Sequence, residues 1–321
     1  MRAAWGIRQA HSAQGGGAQA RSTPSRCIYN EREDVMSVSF VNKVVLITGA
    51  SRGIGRAVAL AFAREGALLV LAARSAERLA EAESEVRALG SDVLSVPTDV
   101  TSPEAVTALV DAAVSRFGRI DVLVNNAGIG RVGCVESAAF EDNVRQTMQA
   151  SLFGMINVTQ RVLPVFRRQG SGAIVNMSSV MGRKAFARFG SYAIVMHGVS
   201  AFSDSLRQEA ADNGIRVSVI YPALTATDLL REAKEAEMPP PFRHMTPLSA
   251  DEVARAVVAA VRQGKRRAVL PRTANMLLLG EALSPRIGDL IATALTKRRI
   301  AGLLRMSSGK TYHETIAGHP G

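Results

Sequence analysis

The sequence predicts a doubly wound α/β fold, in which helices cover both faces of a parallel sheet. Seven short apolar runs of strand length occur between residues 43 and 271, and amphipathic, helix-like stretches separate them. Strands that are apolar along their whole length are typical of a sheet buried on both faces. Neither a linker nor an internal repeat interrupts this alternation. We therefore expect a single domain over about residues 41–271, a leader over residues 1–40 and a helical tail over residues 272–321.

The predicted strands are separated by stretches long enough for helical crossovers. Runs of strand length joined by helical crossovers predict a parallel sheet with helices on both faces. In chain order the runs are VVLIT, LLVLAA, VLSVP, DVLVN, AIVNM, VSVIY and AVLP.

The leader differs in composition from the rest of the chain. Residues 1 to about 38 are rich in Gly, Ala, Gln, Ser and Arg, and no acidic residue precedes Glu31. Such a composition predicts disorder. An Arg-rich, acid-poor leader is also typical of an organellar transit peptide. We favour an over-long start, because Met36 lies just before the first predicted strand.

The composition argues against several classes of function. The net charge is +11, but Lys and Arg are scattered and form no stripe with interleaved aromatic residues, so we expect no nucleic-acid partner. Cys27 and Cys134 are the only cysteines, too few for a disulfide framework and not spaced as metal ligands. We therefore expect no metal site and a reducing compartment, the cytoplasm, with organellar import as the alternative.

The tail carries a helical repeat of apolar residues beside a basic cluster. We expect this helix to pack on the core or on a second subunit of a homo-oligomer, with the basic residues near its C-terminal end. Peripheral contact with a membrane surface is the alternative. The apolar positions are Ile287, Leu290, Ile291, Ala294 and Leu295, and the basic ones are Lys297, Arg298 and Arg299.

A glycine-rich turn joins the first predicted strand to the first predicted helix. Its sequence is TGASRGIG, residues 48–55, and the helix-like RAVALAFAREG follows. Glycines at such a turn let the backbone approach a pyrophosphate, whose charge then faces the N–H groups of the helix start. We predict a dinucleotide phosphate site formed by Gly49, Ser51, Arg52, Gly53, Ile54 and Gly55.

The end of the second predicted strand indicates which dinucleotide binds. LLVLAA is followed by Arg74, so the acidic residue that would bind the adenosine ribose hydroxyls is missing. Arg52 and Arg74 together offer two guanidinium groups to a 2′-phosphate. We therefore expect NADP as the cofactor rather than NAD.

Together these features resemble the short-chain dehydrogenase/reductase family over about residues 41–271. Beside the glycine turn, TDV at residues 98–100, NNAG at 125–128 and YPALTAT at 221–227 occur in the family's order. The resemblance implies a Rossmann fold and an NAD(P)-dependent oxidoreductase that acts on alcohol and carbonyl groups. The cofactor-binding residues that it implies are Asp99, Val100, Asn126, Ala127, Gly128, Tyr192, Pro222 and Thr227.

The same resemblance implies a catalytic pair with altered surroundings. Ser179 stands thirteen residues before Tyr192, which is the family's spacing between the serine that holds the substrate oxygen and the tyrosine that exchanges its proton. The family's lysine, four residues after the tyrosine, is Met196 here. Its active-site asparagine is Ser151, and Ala223 stands where the family has a glycine.

The missing lysine changes what Tyr192 is expected to do. Without a neighbouring cation, we expect the pKa of Tyr192 to stay near or above ~10. Reduction needs the neutral phenol whereas oxidation needs the phenolate, so reduction should survive better. The alternative is a catalytically impaired scaffold or sensor that keeps the dinucleotide fold without efficient turnover. Retention of both Ser179 and Tyr192 favours the enzyme.

Three nearby side chains are candidate replacements for the missing cation. His197 is adjacent to Met196, but one helical step turns it about 100° away from that face. Arg183 and Lys184 lie in the segment between Ser179 and the catalytic tyrosine. We expect both to be solvated loop cations rather than members of the site.

The expected substrate is an apolar ketone or aldehyde, or the corresponding alcohol. The segment DLLREAKEAEMPPPFRHMTP, residues 228–247, is the expected lid and is partly apolar and rich in proline. Val180, Met181 and Phe186 add apolar side chains near the catalytic pair, although ordinary packing beneath a loop is the alternative.

Overall fold

A computed structural model of the protein describes residues 39–226 and 246–294. Its centre is a seven-stranded sheet in the order β3-β2-β1-β4-β5-β6-β7, with every neighbouring pair parallel. The predicted doubly wound fold is confirmed. The strands are β1 Val44–Thr48, β2 Leu68–Ala73, β3 Val93–Pro97, β4 Val122–Asn125, β5 Gly172–Met177, β6 Ile215–Pro222 and β7 Arg267–Leu270.

Helices cover both faces of the sheet and bury two separate apolar clusters. One face carries α1, α2 and α7, and the other carries α3, α5 and α6. Short α4 runs into a π-helical turn, Met148–Phe153, just before α5. The α-helices are α1 Gly53–Arg64, α2 Ala76–Ala88, α3 Pro103–Phe117, α4 Phe140–Thr147, α5 Gly154–Gln169, α6 Gly190–Glu209, α7 Ala250–Arg262, α8 Ala274–Leu283 and α9 Pro285–Ala294.

The strand order determines where a ligand can bind. From β1 the chain passes outward to β2 and β3, then returns across β1 to β4 on its other side. The loops after β1 and β4 therefore diverge, and a crevice opens at the carboxyl ends of the strands. Residues of both loops line the same cavity, which has a volume of about 750 Å³.

The tail forms two consecutive helices, α8 and α9, as far as the structure describes it. Ala274 and Ile291 belong to an apolar cluster that also contains Val180, Met181 and Tyr192. The predicted helical character is present up to Ala294, but the predicted packing is only partly observed, because Ile291 contacts this cluster whereas Ile287 and Leu290 are exposed. No helix within residues 39–226 and 246–294 is long and apolar enough to cross a membrane.

Several sequence predictions lie outside the described residues. They include the leader with Cys27 and Met36, most of the expected lid, and the end of the tail with Leu295, Lys297, Arg298 and Arg299. The predicted cofactor-binding residue Thr227 also falls there.

Candidate active site

The turn after β1 has the backbone geometry that its glycines allow. Gly49 and Gly53 have φ values of 64° and 54°, in the left-handed region that other residues rarely adopt. A Cβ atom at Gly55 would collide with the carbonyl of Gly49, so only glycine lets α1 approach the turn this closely. The N-cap residue of α1, Arg52, makes no side-chain capping bond. The first N–H groups of α1 are therefore available to an anionic ligand.

The loop after β4 is tied directly to this turn. Thr48 Oγ1 accepts hydrogen bonds from the N–H groups of Asn126 and Ala127, both at 3.0 Å. The side-chain Nδ2 of Asn126 donates to the carbonyls of Thr48 and Gly49, at 3.1 and 3.2 Å. Thr48 therefore positions both loops of the crevice, a role that the sequence analysis did not assign. In the sequence, the only indication of this role was the Thr-Gly pair at the start of the turn.

The far end of the cavity is rich in arginine. Arg52 and Arg74 line it as the sequence suggested, and Arg78 in the first turn of α2 joins them. The backbone N–H of Thr101 holds the pKa of Asp99 below its ordinary value of 3.8, and the Thr101 hydroxyl and the charge of Arg74 lower it further. Arg78 was missed because no motif marks it, although it lies only four positions beyond Arg74.

The residues present fit a dinucleotide in this cavity. Asn125 is buried, and its Nδ2 donates to Thr159 Oγ1 and Asn176 Oδ1, both at 2.9 Å. Its Oδ1 has no hydrogen-bond partner among the described residues, although Asn125 lines the cavity. A buried acceptor without a partner is costly, and a ligand that donates a hydrogen bond would satisfy it. Asn125 was not among the predicted binding residues, and Gly55, which was, does not line the cavity. Besides Arg52, Arg74, Asp99 and Tyr192, the predicted binding residues that line it are Gly49, Ser51, Gly53, Ile54, Val100, Asn126, Ala127, Gly128 and Pro222.

Ser179 and Tyr192 lie together at the other end of the same cavity. They share a side-chain hydrogen bond, and both line the cavity. Ser179 Oγ also donates to the carbonyl of Pro222 at 3.3 Å and accepts from the N–H of Met181 at 3.2 Å. Because these bonds hold the serine from two directions, its hydroxyl is fixed beside the phenol.

Burial raises the pKa of Tyr192 to about 12, and the hydrogen bond with Ser179 offsets only part of this rise. The expectation of a pKa near or above 10 is therefore confirmed. The phenol remains neutral throughout the physiological range. It is suited to donate a proton rather than to accept one.

Met196 occupies the position of the family's lysine and packs there among apolar side chains. Its side chain is 4% exposed and belongs to a cluster with Met155, Val195, Val199 and Tyr192. Met196 and Tyr192 both line the cavity, one helical turn apart. Methionine contributes apolar packing there but no charge. Its side chain therefore does not stabilise the phenolate form of Tyr192.

Ser151 has a different role from the one that the resemblance implied. It lies in the π-helical turn, and its Oγ accepts from the N–H of Ile129 at 3.0 Å and donates to the carbonyl of Ile129 at 3.1 Å. Its hydroxyl therefore anchors the segment after β4. A Cβ atom at Gly128 would come within 2.9 Å of this oxygen, so the glycine allows the close approach. Ser151 therefore has a structural role of its own, apart from the proton relay in which the family's asparagine takes part.

The candidate replacement cations lie away from the cavity. Arg183 and His197 are exposed and line a separate, smaller pocket. Lys184 is buried, and its Nζ pairs with Glu281 Oε2 at 2.8 Å and Asp289 Oδ1 at 2.6 Å. The expectation that Lys184 is solvated is therefore wrong. The reason is that α8 and α9 bring two carboxylates to it from about a hundred residues away.

These ion pairs keep Lys184 charged. Burial lowers the pKa of Lys184, but the hydrogen bonds to Asp289 and Glu281 outweigh burial and raise the pKa above its ordinary 10.5. Together with the apolar cluster around Ala274, the ion pairs fasten the tail to the segment that follows Ser179. The tail thus supports the wall of the cavity that carries Val180 and Met181.

We expect Lys184→Met to lower the free energy of unfolding by ~1–3 kcal/mol, because Glu281 would then be a partly buried carboxylate without its cation. Asp289 is mostly exposed and should contribute little. Urea denaturation of the full chain measures the change. The control is Lys265→Met at an exposed lysine. Equal stability of the two variants would contradict a supporting role for the ion pairs.

The chain matches the family described as short chain dehydrogenase over residues 43–238. It is 35% identical to the cyclohexanol dehydrogenase of Acinetobacter sp. over 207 residues, which cover 64% of this chain and 82% of that one. A short chain dehydrogenase/reductase from Burkholderia phymatum, solved in complex with NAD, is 27% identical with a TM-score of 0.69, over 78% of this chain and 96% of that one.

A second solved structure contains the other type of cofactor. The alcohol dehydrogenase of Thermococcus sibiricus, complexed with 5-hydroxy-NADP, is 28% identical with a TM-score of 0.63. The match covers 71% of this chain and 95% of that one. Similar folds therefore hold both kinds of dinucleotide.

Proposed function

Because this chain belongs to the short-chain dehydrogenase/reductase family, we propose that it is an NADP-dependent reductase of an apolar ketone or aldehyde. The observation that carries the proposal is one cavity with the glycine turn and three arginines at one end and a Ser179–Tyr192 pair at the other. A dinucleotide scaffold without catalysis has no evident need for that pair.

The residues of this chain divide the chemistry between them. A bound nicotinamide dinucleotide supplies the hydride for the carbonyl carbon. The turn after β1 and the loop after β4 would hold its phosphates and its ribose, since both line the cavity. The Ser179 hydroxyl exchanges its hydrogen bond to the Pro222 carbonyl for one to the substrate's carbonyl oxygen, and Tyr192 transfers its phenolic proton to the same oxygen. The product is the alcohol, and Tyr192 regains its proton from solvent.

The tyrosine's surroundings favour reduction over oxidation. A phenol with a pKa of about 12 is almost fully protonated at neutral pH, as a proton donor must be. Oxidation of an alcohol needs the phenolate, which is then present in only about one molecule in 100,000 at pH 7. Apolar side chains along the cavity suit an apolar carbonyl compound. These are Ile129, Val132, Val180, Met181, Phe189 and Leu224.

The direct test of this function is consumption of NADPH by the purified protein with a panel of apolar ketones and aldehydes. Absorbance at the nicotinamide band, with product identified by mass spectrometry, gives the rate. Turnover with at least one class of carbonyl compound supports the proposal. Tight NADPH binding with no turnover of any compound would favour the scaffold or sensor instead.

We expect NADPH to bind ~10–100-fold more tightly than NADH, because charge-assisted hydrogen bonds from the arginines reward a 2′-phosphate. Arg74→Ala and Arg78→Ala should each weaken NADPH and leave NADH almost unchanged. Calorimetric titration of both cofactors measures the affinities. Arg183→Ala is the matched control, since Arg183 is exposed and lies outside this cavity. Equal affinities for the two cofactors in the unmodified protein would refute the preference.

A further inference from the structure

The charged side chains that line the cavity are unevenly distributed. Among the described residues they are Arg52, Arg74, Arg78, Asp99 and Arg131. The first four follow β1, β2 and β3 and surround the adenosine end. Arg131 follows β4 and is the one charge at the tyrosine end within the described part of the lining. The cofactor site accounts for the first group and leaves Arg131 unexplained.

The backbone of Arg131 is held close to the catalytic tyrosine. Ser191, the residue before Tyr192, donates a hydrogen bond from its Oγ to the carbonyl of Arg131 at 3.0 Å. Two residues further on, the N–H of Gly133 donates to the carbonyl of Arg188 at 2.8 Å. These bonds fasten the segment after β4 to the start of α6, and they hold the backbone of Arg131 near the site.

Arg131 is exposed at the surface of the cavity, and its guanidinium has little to bind among the described residues. Its one hydrogen bond there, from Nη2 to Oε1 of the exposed Gln146, is long at 3.3 Å, and Gln146 is neutral. No carboxylate of residues 39–226 and 246–294 lies within 4 Å of it, so its charge is not paired within the described part of the chain.

We infer that Arg131 recognises a carboxylate on the substrate, so that the substrate is an oxo acid with an apolar body. A guanidinium with free donors binds a carboxylate through two parallel hydrogen bonds, and few other groups match its geometry as well. The neutral Gln149, which also lines the cavity, can add a further hydrogen bond. The inference rests on the proposed reductase function and names its substrate class.

The experiment compares an apolar oxo acid with its own methyl ester. The two share the carbonyl and the apolar body and differ only in the charge offered to Arg131. We expect kcat/KM with NADPH to be ~10–100-fold higher for the acid, since hydrogen bonds between charged groups contribute about that much. Arg131→Gln should abolish the preference by slowing the acid alone. Arg131→Lys should keep part of it, and Arg183→Gln should change nothing.

A binding measurement separates this inference from the reductase function. The probe is a long-chain alkyl carboxylate without a carbonyl, titrated into the NADPH-loaded protein by calorimetry, with its methyl ester as control. Binding of the carboxylate that Arg131→Gln weakens at least tenfold supports the inference, even if no carbonyl compound is turned over. Equal reduction of acid and ester, or equal binding of carboxylate and ester, would overturn it while leaving reduction of neutral ketones intact.

Discussion

Replacement of Met196 with lysine is expected to raise the rate of alcohol oxidation at pH 8 by ~10-fold or more. A cation one helical turn from the phenol lowers its pKa by ~1–3 units. The starting value is about 12, so the phenolate fraction rises tenfold for each unit while the phenol still predominates. Reduction should gain less, through tighter binding of the cofactor alone.

The new lysine must enter a site built for an apolar side chain. Met196 is buried among Met155, Val195 and Val199, so a charged lysine loses hydration there and its own pKa falls. We expect lower stability together with the gain in oxidation. Met196→Leu and Met196→Gln are the controls, since they change packing or polarity without adding charge. Neither should increase oxidation.

The pH dependence of both directions in these proteins decides the outcome. In Met196→Lys, the charged ammonium should shift the rise of the oxidation rate to lower pH, and the two neutral variants should leave it where it is. If the unmodified protein oxidises alcohols rapidly at neutral pH and Met196→Lys is slower, then the site does not need a cation at position 196. The role assigned to Met196 would then be wrong.

Replacement of Tyr192 with phenylalanine is expected to lower kcat for carbonyl reduction by ~10²–10⁴-fold, the usual contribution of a positioned proton donor. Cofactor affinity should change little, because the hydroxyl serves the proton transfer.

In the unmodified protein, the rate of alcohol oxidation should increase about tenfold per pH unit up to at least ~pH 10, because the pKa of about 12 for Tyr192 places the plateau at higher pH. The variant should lose this dependence.

Tyr221 provides a matched control for that variant. Tyr221 is buried, at 1% exposure, and does not line the cavity. Its hydroxyl has no hydrogen-bond partner within the described part of the chain. Tyr221→Phe should therefore retain full activity, without loss of stability. Steady-state rates with NADPH and one apolar ketone, measured for both variants, test the assignment. An active Tyr192→Phe protein would remove this tyrosine from the mechanism.

Short stretches of sequence predicted the sheet with good accuracy. Each strand begins and ends within two residues of its apolar run. The reason is physical: a parallel strand buried on both faces must be apolar along its length, and this property is visible in about five or six consecutive residues. The glycine turn is equally local, since the positive φ of Gly49 and Gly53 is a requirement on single residues.

The surroundings of the catalytic pair were predicted less well. Local patterns located Ser179 and Tyr192 and revealed the missing lysine, but they did not predict the burial of Lys184 and gave no indication of Arg131. Lys184 meets its carboxylate partner Asp289 across 105 positions of the chain. Arg131 is distinctive because it is the one charged residue at the tyrosine end of the cavity within the described lining, and this placement depends on the fold.

The doubly wound sheet, the phosphate turn and the lack of a lysine beside Tyr192 could be predicted from the sequence, because each depends on a pattern within one segment. The structure was needed to show that Ser151 anchors Ile129, that Lys184 fastens the tail, and that Arg131 lines the tyrosine end of the cavity. Burial, charge pairing and pKa depend on which remote segments meet. No local sequence pattern specifies these long-range contacts, so they follow from the packing of the whole domain.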